Sequence, residues 1–308
     1  MKHLRQQFAD TILEVGSDDH GLVVLVGDIS HGILQPFAQR HPQRYYNIGV
    51  CEPTIVNMAA GMNKVGLTPV IHTIAPFLIE RAYEQIKLDF GYQTLAGNFV
   101  SVGGSFDYSQ LGCSHHCYTD VSLMSHLSRA NIFIPGSAQE FDALFKQSYK
   151  NNEINYFRLP DNPHGVEFSQ DLIVAGSAIK LRDGKDITVV TMGSHLKSAV
   201  PALDTLSGEG YSADLLYYPT IKPFDHVAIK DSLRKTGRVL CVEELSAHDG
   251  IFNQILKSSI GIDSVQFGQI AVEDFVHGYG SFDYLCQKVG LTQQNITEQC
   301  LKLIREPQ

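Results

Sequence analysis

The sequence has no tryptophan, no Cys-x-x-Cys pair and no cluster of lysines and arginines. It also has no apolar run of the ~18 residues that a membrane span needs. These absences narrow the field. A net charge of −9 without a basic patch excludes a surface made for nucleic acid or an anionic membrane. The six cysteines (Cys51, Cys113, Cys117, Cys241, Cys286 and Cys300) stand singly along a large chain, which reads as reduced thiols in a cytoplasmic protein. The amino-terminal stretch MKHLRQQFADTILEVG carries charges where a secretory leader has its apolar centre. Walker A, G-x-S-x-G and H-E-x-x-H motifs are missing, as is G-x-G-x-x-G after each early strand candidate, so the ordinary NTPase, hydrolase, zincin and dinucleotide readings lose their best support.

What is present is the composition of a globular protein, 44% hydrophobic and 19% charged over 308 residues, a length that suits two domains. Strand-like runs LVVLVGD (22–28), YYNIGV (45–50), TPVIHTI (68–74), NFVSVGG (98–104), NIFIPGS (131–137) and NYFRLP (155–160) alternate with helical stretches. One of these, PFLIERAYEQIKLDFGYQ, spaces Phe77, Arg81, Gln85 and Leu88 as a helix would. From about Asn162 the composition turns to Pro, Gly, Asp and Ser. A second set follows: ITVVTMGSH (187–195), SADLLYYPTIKPFD (212–225), RVLCVEEL (238–245) and DSVQFGQI (263–270). The pattern predicts α/β architecture, two doubly wound domains with mostly parallel sheets. Their boundaries are expected at 1–165 and 186–308, with a linker over 166–185.

Few residues stand out chemically. Glu52, in YYNIGVCEPTIVNMAAG, is an acid at a helix start with no lysine or arginine within several residues. The helix dipole alone would favour an acid there. His115 and His116, in GCSHHC, read as a polar loop; a zinc site would need four well-placed ligands, and no second close pair is present. Phe77 alone reads as core.

Taken in order, the segments GD, HPQRYYNIGVCE, AAGMNKVGLTPVIHTIAPFLIERAYEQI, GCSHHCYTD and YFRLP resemble the pyrimidine-binding domain of the transketolase family. TVVTMGSHLKSAVPAL, PTIKPFD and VLCVEEL are similar to that family's C-terminal domain. The resemblance implies that Glu52 touches the pyrimidine nitrogen of thiamine diphosphate and exchanges a proton with the ring. A carboxyl group does this best when desolvated and free of a neighbouring cation. It further implies that Phe77 stacks on the aminopyrimidine with Ile74 nearby, although one residue is inserted between Phe77 and Arg81 relative to the 1-deoxyxylulose-5-phosphate synthase pattern. By the same resemblance Asp28 borders the cofactor where two subunits meet, and His115, with His116 beside it, meets substrate oxygens. Arg158 would hold a substrate phosphate or other anion with its fork of donors.

Two departures shape the expectation. Leu111 stands where the family loop has an aspartate, and the G-D-G…Asn signature of the diphosphate- and magnesium-binding domain is missing. The resemblance therefore implies the C-terminal subunit of a split transketolase-like enzyme, transferring a two-carbon ketol unit from a ketose to an aldehyde. Thiamine diphosphate and Mg2+ would lie between this chain and an N-terminal subunit that supplies the metal ligands. Self-association through the pyrimidine-binding domain would give a heterotetramer. Sugar substrates are expected; nucleic acid and membrane are not. Two alternatives share the fold: the beta subunit of a 2-oxo-acid dehydrogenase first component, and a non-catalytic binding subunit.

Overall fold

The computed structural model describes residues 2–306. Its strands, in chain order, are β1 (Leu22–Val26), β2 (Tyr45–Asn47), β3 (Thr68–Ile74), β4 (Gly97–Val102), β5 (Ala130–Phe133), β6 (Ile154–Leu159), β7 (Ile179–Arg182), β8 (Ile187–Thr191), β9 (Ala213–Tyr217), β10 (Thr220–Lys222), β11 (Arg238–Ser246) and β12 (Gln266–Val272). They form two sheets, ordered β10-β5-β6-β4-β3-β1-β2 and β12-β11-β8-β9-β7. Every pairing is parallel except β10 with β5 and β7 with β9, both at sheet edges. This is the α/β architecture of two doubly wound, mostly parallel sheets that the alternation of apolar runs predicts.

The apolar runs become strands because helices cover both faces of each sheet. β1, β4, β6, β8 and β9 are buried at every position, as parallel strands in doubly wound sheets are. Helices begin where short polar side chains can cap them. Asp225 accepts from the Ala228 amide at the start of His226–Thr236, which Gly237 ends at φ +62°. Among the described residues no helix is long and apolar enough to cross a membrane.

Two local details differ from the sequence reading. The run 212–225 is not one strand but two: β9 stays in the second sheet, while β10 crosses over and pairs with β5 of the first. Pro219 and Pro223 cannot donate to a ladder; the chain leaves the second sheet before Pro219, and the stretch between the two prolines serves only as an edge. The stretch predicted as a helix over 76–93 contains π turns at Pro76–Glu80 and Ile86–Tyr92 around a short α-helical turn at Tyr83–Gln85. The Arg81 amide donates to Pro76 O at 3.0 Å, a bond spanning five residues, so this turn holds one residue more than an α turn.

A buried ionic cluster ties the two sheets together. Arg158 on β6, 1% exposed, meets Asp120 at 3.1 Å, Glu244 of β11 at 3.4 Å and the Cys117 carbonyl at 2.9 Å. His195 closes on the other oxygen of Glu244 at 3.1 Å. Burial would push the Glu244 carboxyl up, but Arg158 and His195 outweigh it and hold the group below its ordinary range. Gly104 makes room for the cluster, since a Cβ there would fall 2.1 Å from Arg158 Nε.

Arg158→Leu strands two buried carboxylates without their cation, and is expected to cost about 3–5 kcal/mol in urea unfolding. Unchanged stability would show that the cluster does not hold the sheets together. A second outcome concerns His72, fully buried on β3, whose ring nitrogens meet Val100 O and Ser30 Oγ, each at 2.8 Å. Burial pushes its pKa down to about 4, below the unfolded value near 6.5. Its contribution to stability is therefore complete above pH 6.5 and disappears as pH falls towards 4, a loss of about 3 kcal/mol. Unfolding free energies at pH 7 and pH 4 should differ by that much more in the native chain than in His72→Gln; equal differences would contradict a buried neutral imidazole.

Candidate active site

The candidate residues collect at the carboxyl ends of β1 to β4, where ligands bind in open parallel sheets. Asp28 follows β1, Glu52 lies beyond β2, Ile74 ends β3 with Phe77 just after, and the His115–His116 loop follows β4. Each sits where a strand has stopped and the chain turns into a helix or loop.

Glu52 is the first residue of the helix Glu52–Lys64, with Pro53 behind it in the position that suits its missing N–H. The loop before it is open, with Val50 68% exposed, yet the Glu52 carboxylate is buried, its side chain 2% exposed. Its partner comes from 29 residues along the chain: Arg81 NH1 donates to Glu52 Oε2 at 2.8 Å. The absence of a cation near Glu52 in sequence therefore does not carry over to space. Arg81 also lies over the Phe77 ring, its guanidinium carbon 4.2 Å from the ring centroid. Carboxylate, flat cation and aromatic face thus form one stack.

His115 joins this group through Phe77. Its ring meets Phe77 edge-on at 5.1 Å and Tyr108 at 6.0 Å, while its Nδ1 shares a 3.0 Å hydrogen bond with Ser114 Oγ. The loop that carries it is pinched at its base, where Cys117 N donates to Ser105 O at 2.9 Å and the reciprocal bond closes the pair. Thr119 Oγ1 donates to Glu80, which ties the π turn bearing Phe77 to this loop. His116 goes elsewhere. It is 3% exposed, its ring perpendicular to the buried Phe106 at 5.3 Å, and burial lowers its pKa.

Asp28 is exposed and has φ +54°. The Asn47 side chain donates to Asp28 and accepts from the amides of Asp28 and Gly49, each at 3.1 Å. This links the end of β1 to the loop entering the Glu52 helix. Ile74 is half-buried at the end of β3. Arg158 is not in this group: its guanidinium is enclosed by Asp120, Glu244 and the Cys117 carbonyl inside the protein, so it is an inter-domain tie in place of the anion holder the resemblance implied. A β-strand position buried on both faces left no route for it to reach solvent.

Sequence reasoning missed two residues. Arg81 was visible only as a helical-spacing position; the signal was a cation four residues after an aromatic. Asp107 lies in the same loop as His115, where burial and then the charges of Glu244 and Asp161 push its pKa up to about 8; it accepts from Asp161 N and Asn162 Nδ2. Among the described residues no group of three or more His, Cys, Asp or Glu could hold a metal ion. A cavity of about 660 Å3 lies between the two halves, lined among others by Ser125, Lys222, His226 and Lys257, and none of the stack residues borders it.

The stack tests whether an aminopyrimidine suits this place. The guanidinium seated there is flat, lies on an aromatic face and gives an N–H to a buried carboxylate. A flat nitrogen heterocycle would make those same contacts, so Glu52 and Phe77 fit the ring portion of the cofactor.

Comparison with known proteins identifies the family. Residues 1–163 match the family model of the transketolase pyrimidine-binding domain and residues 176–296 that of the transketolase C-terminal domain. The chain is 29% identical to the 6-deoxy-6-sulfo-D-fructose transketolase subunit SqwH of Clostridium sp. (strain MSTE9), covering 95% of this chain and 92% of that one. It is 28% identical to a subunit of the apulose-4-phosphate transketolase of Phocaeicola vulgatus, covering 98% and 97%. A split-gene transketolase solved as an inactive beta4 tetramer superposes with a TM-score of 0.87 at 27% identity, covering 98% of each chain. With matched models spanning most of its length, this chain belongs to the transketolase family.

Proposed function

We propose that this chain is the C-terminal subunit of a split, thiamine diphosphate-dependent transketolase, active with a second chain that brings the diphosphate and Mg2+ site. The observation that carries this reading is a buried carboxylate, Glu52, and an aromatic face, Phe77, that both contact one flat group, the Arg81 guanidinium. Relatives of nearly the same length support the split organisation: two are transketolase subunits, and a third is a split-gene transketolase whose beta4 tetramer is inactive. The scattered cysteines support a cytoplasmic setting.

Each residue has a task that follows from its surroundings. Thiamine diphosphate, when bound, supplies the chemistry that breaks and remakes the carbon–carbon bond of the ketol unit. Glu52, fixed at a helix start and shielded from water, gives and takes a proton at the pyrimidine nitrogen. Phe77 orients the ring by stacking, and half-buried Ile74 adds apolar surface beside it. His115, with Nδ1 engaged by Ser114, keeps Nε2 for a proton on a substrate oxygen. Asp28, bound to Asn47, borders the cofactor on the exposed side facing the partner chain. His116 packs behind the loop and positions His115.

The substrate is a ketose donor with an aldehyde acceptor. Leu111, 52% exposed in the His115 loop, offers no oxygen or charge where the family has its aspartate, which favours a sugar altered at the carbon that residue would meet.

Turnover of ketose donors should be undetectable with this chain alone, and should appear when a separately expressed chain bearing the diphosphate site, thiamine diphosphate and Mg2+ are added. Turnover by the chain alone would overturn the split assignment. In the assembled enzyme, Glu52→Gln should lower kcat by about 10²–10⁴-fold, the range for losing a general acid–base group, while the thermal midpoint stays near that of the native chain. Full activity in that variant would remove Glu52 from the reaction.

A further inference from the structure

The seat assigned to the cofactor ring is already filled by the chain itself. Arg81 makes both contacts the ring would need: a hydrogen bond to Glu52 at 2.8 Å and a stacked position over Phe77 at 4.2 Å. Guanidinium and aminopyrimidine have the relevant features in common, being flat, rich in N–H donors and able to lie on an aromatic face. Two such groups cannot occupy one face of Phe77 together.

We infer that Arg81 is a built-in occupant of the ring seat, which holds Glu52 and Phe77 in place in the cofactor-free chain and must swing out for the ring to dock. This rests on the reading of Glu52 and Phe77 given above. The exposures fit the exchange. The Arg81 side chain is 44% exposed and has solvent to move into, whereas the Glu52 side chain, at 2%, is fixed where the ring needs it. Arg81 also leads out of the π turn Pro76–Glu80, a form of helix often found at functional sites.

The arrangement couples loading to assembly. Contacts made by the pyrimidine ring only replace those that Arg81 already makes, so ring binding alone yields little net gain. The favourable balance has to come from the diphosphate and metal half of the cofactor, which the partner chain holds. The isolated chain is thereby kept from binding a thiamine fragment unproductively, and its buried carboxylate is never left unpaired before the partner arrives.

The test is calorimetric titration of thiamine diphosphate, with Mg2+, into the complex of this chain with its partner, in native, Arg81→Ala and Arg81→Lys forms. Removing the occupant should tighten cofactor binding by about tenfold in Arg81→Ala, the scale of one half-exposed ion pair plus one cation–π contact. Arg81→Lys keeps the charge but not the flat group and should tighten binding by about threefold, which preserves the test if the alanine variant does not fold. The cofactor-free Arg81→Ala chain should also melt at a lower temperature than the native chain, a gap that closes when the complex is saturated with cofactor. Unchanged or weaker cofactor binding in both variants would overturn the inference and make Arg81 a ligand or a bystander. A native complex that binds no thiamine diphosphate would sink the seat itself, and the inference with it.

Discussion

A carboxylate taken out of water has to find compensation, and much of this site is the consequence of putting Glu52 at a buried helix start. The helix dipole supplies part of the compensation and the Arg81 guanidinium supplies the rest. Because Arg81 is drawn to the carboxylate, its flat face comes to lie on Phe77, and because Phe77 sits at the mouth of a π turn, its edge meets His115. Glu80, the last residue of that turn, anchors it to the histidine loop through Thr119. One electrostatic requirement thus organises elements from three separate strand ends. An apolar residue at position 52 would leave no reason for Arg81 to reach across, and the stack would have nothing to align it.

The same geometry explains why the site looks incomplete in a single chain. The stack reaches solvent at Arg81, whose side chain is 44% exposed, and does not border the cavity between the two halves. An enclosed pocket for a diphosphate and a divalent cation would need several converging oxygens, and the described residues bring no such group together. What this chain offers is a wall with one acid and one aromatic. Water exclusion over that wall belongs to whatever covers it.

The fold was legible because its strands are buried on both faces: runs such as LVVLVGD and ITVVTMGSH can hardly be anything but central parallel strands. Less legible were features decided by tertiary partners. Nothing in SADLLYYPTIKPFD says that its second part will cross to the other sheet, although its two prolines limit it to an edge. Local spacing implied a plain α-helix over 76–93, since α and π turns differ by about a single residue per turn and the choice between them is made by packing. For the site, the family-like segments named Glu52, Phe77 and His115, which the fold brings together, but pair contacts between distant positions were invisible. Glu52 had no neighbouring cation in sequence and yet has one in space. Arg158 had the right residue type for an anion, but its strand is buried on both faces and two carboxylates claim it.

The second half of the chain is more than a passive appendage to this site. It contributes Glu244, which fixes Arg158 and through it the Cys117 carbonyl at the base of the histidine loop. It also contributes Tyr279, whose ring lies so close over Gly112 that a Cβ there would fall 2.6 Å from it, at a φ of +77° that already favours glycine. The loop carrying Leu111, Ser114 and His115 is therefore held at its base by β11 and covered near its tip by the segment after β12. Its shape is set by the domain that carries none of the stack residues. The carboxylate, aromatic and cation thus all come from the first half of the chain, whereas the loop that carries His115 is held and covered by residues of the second.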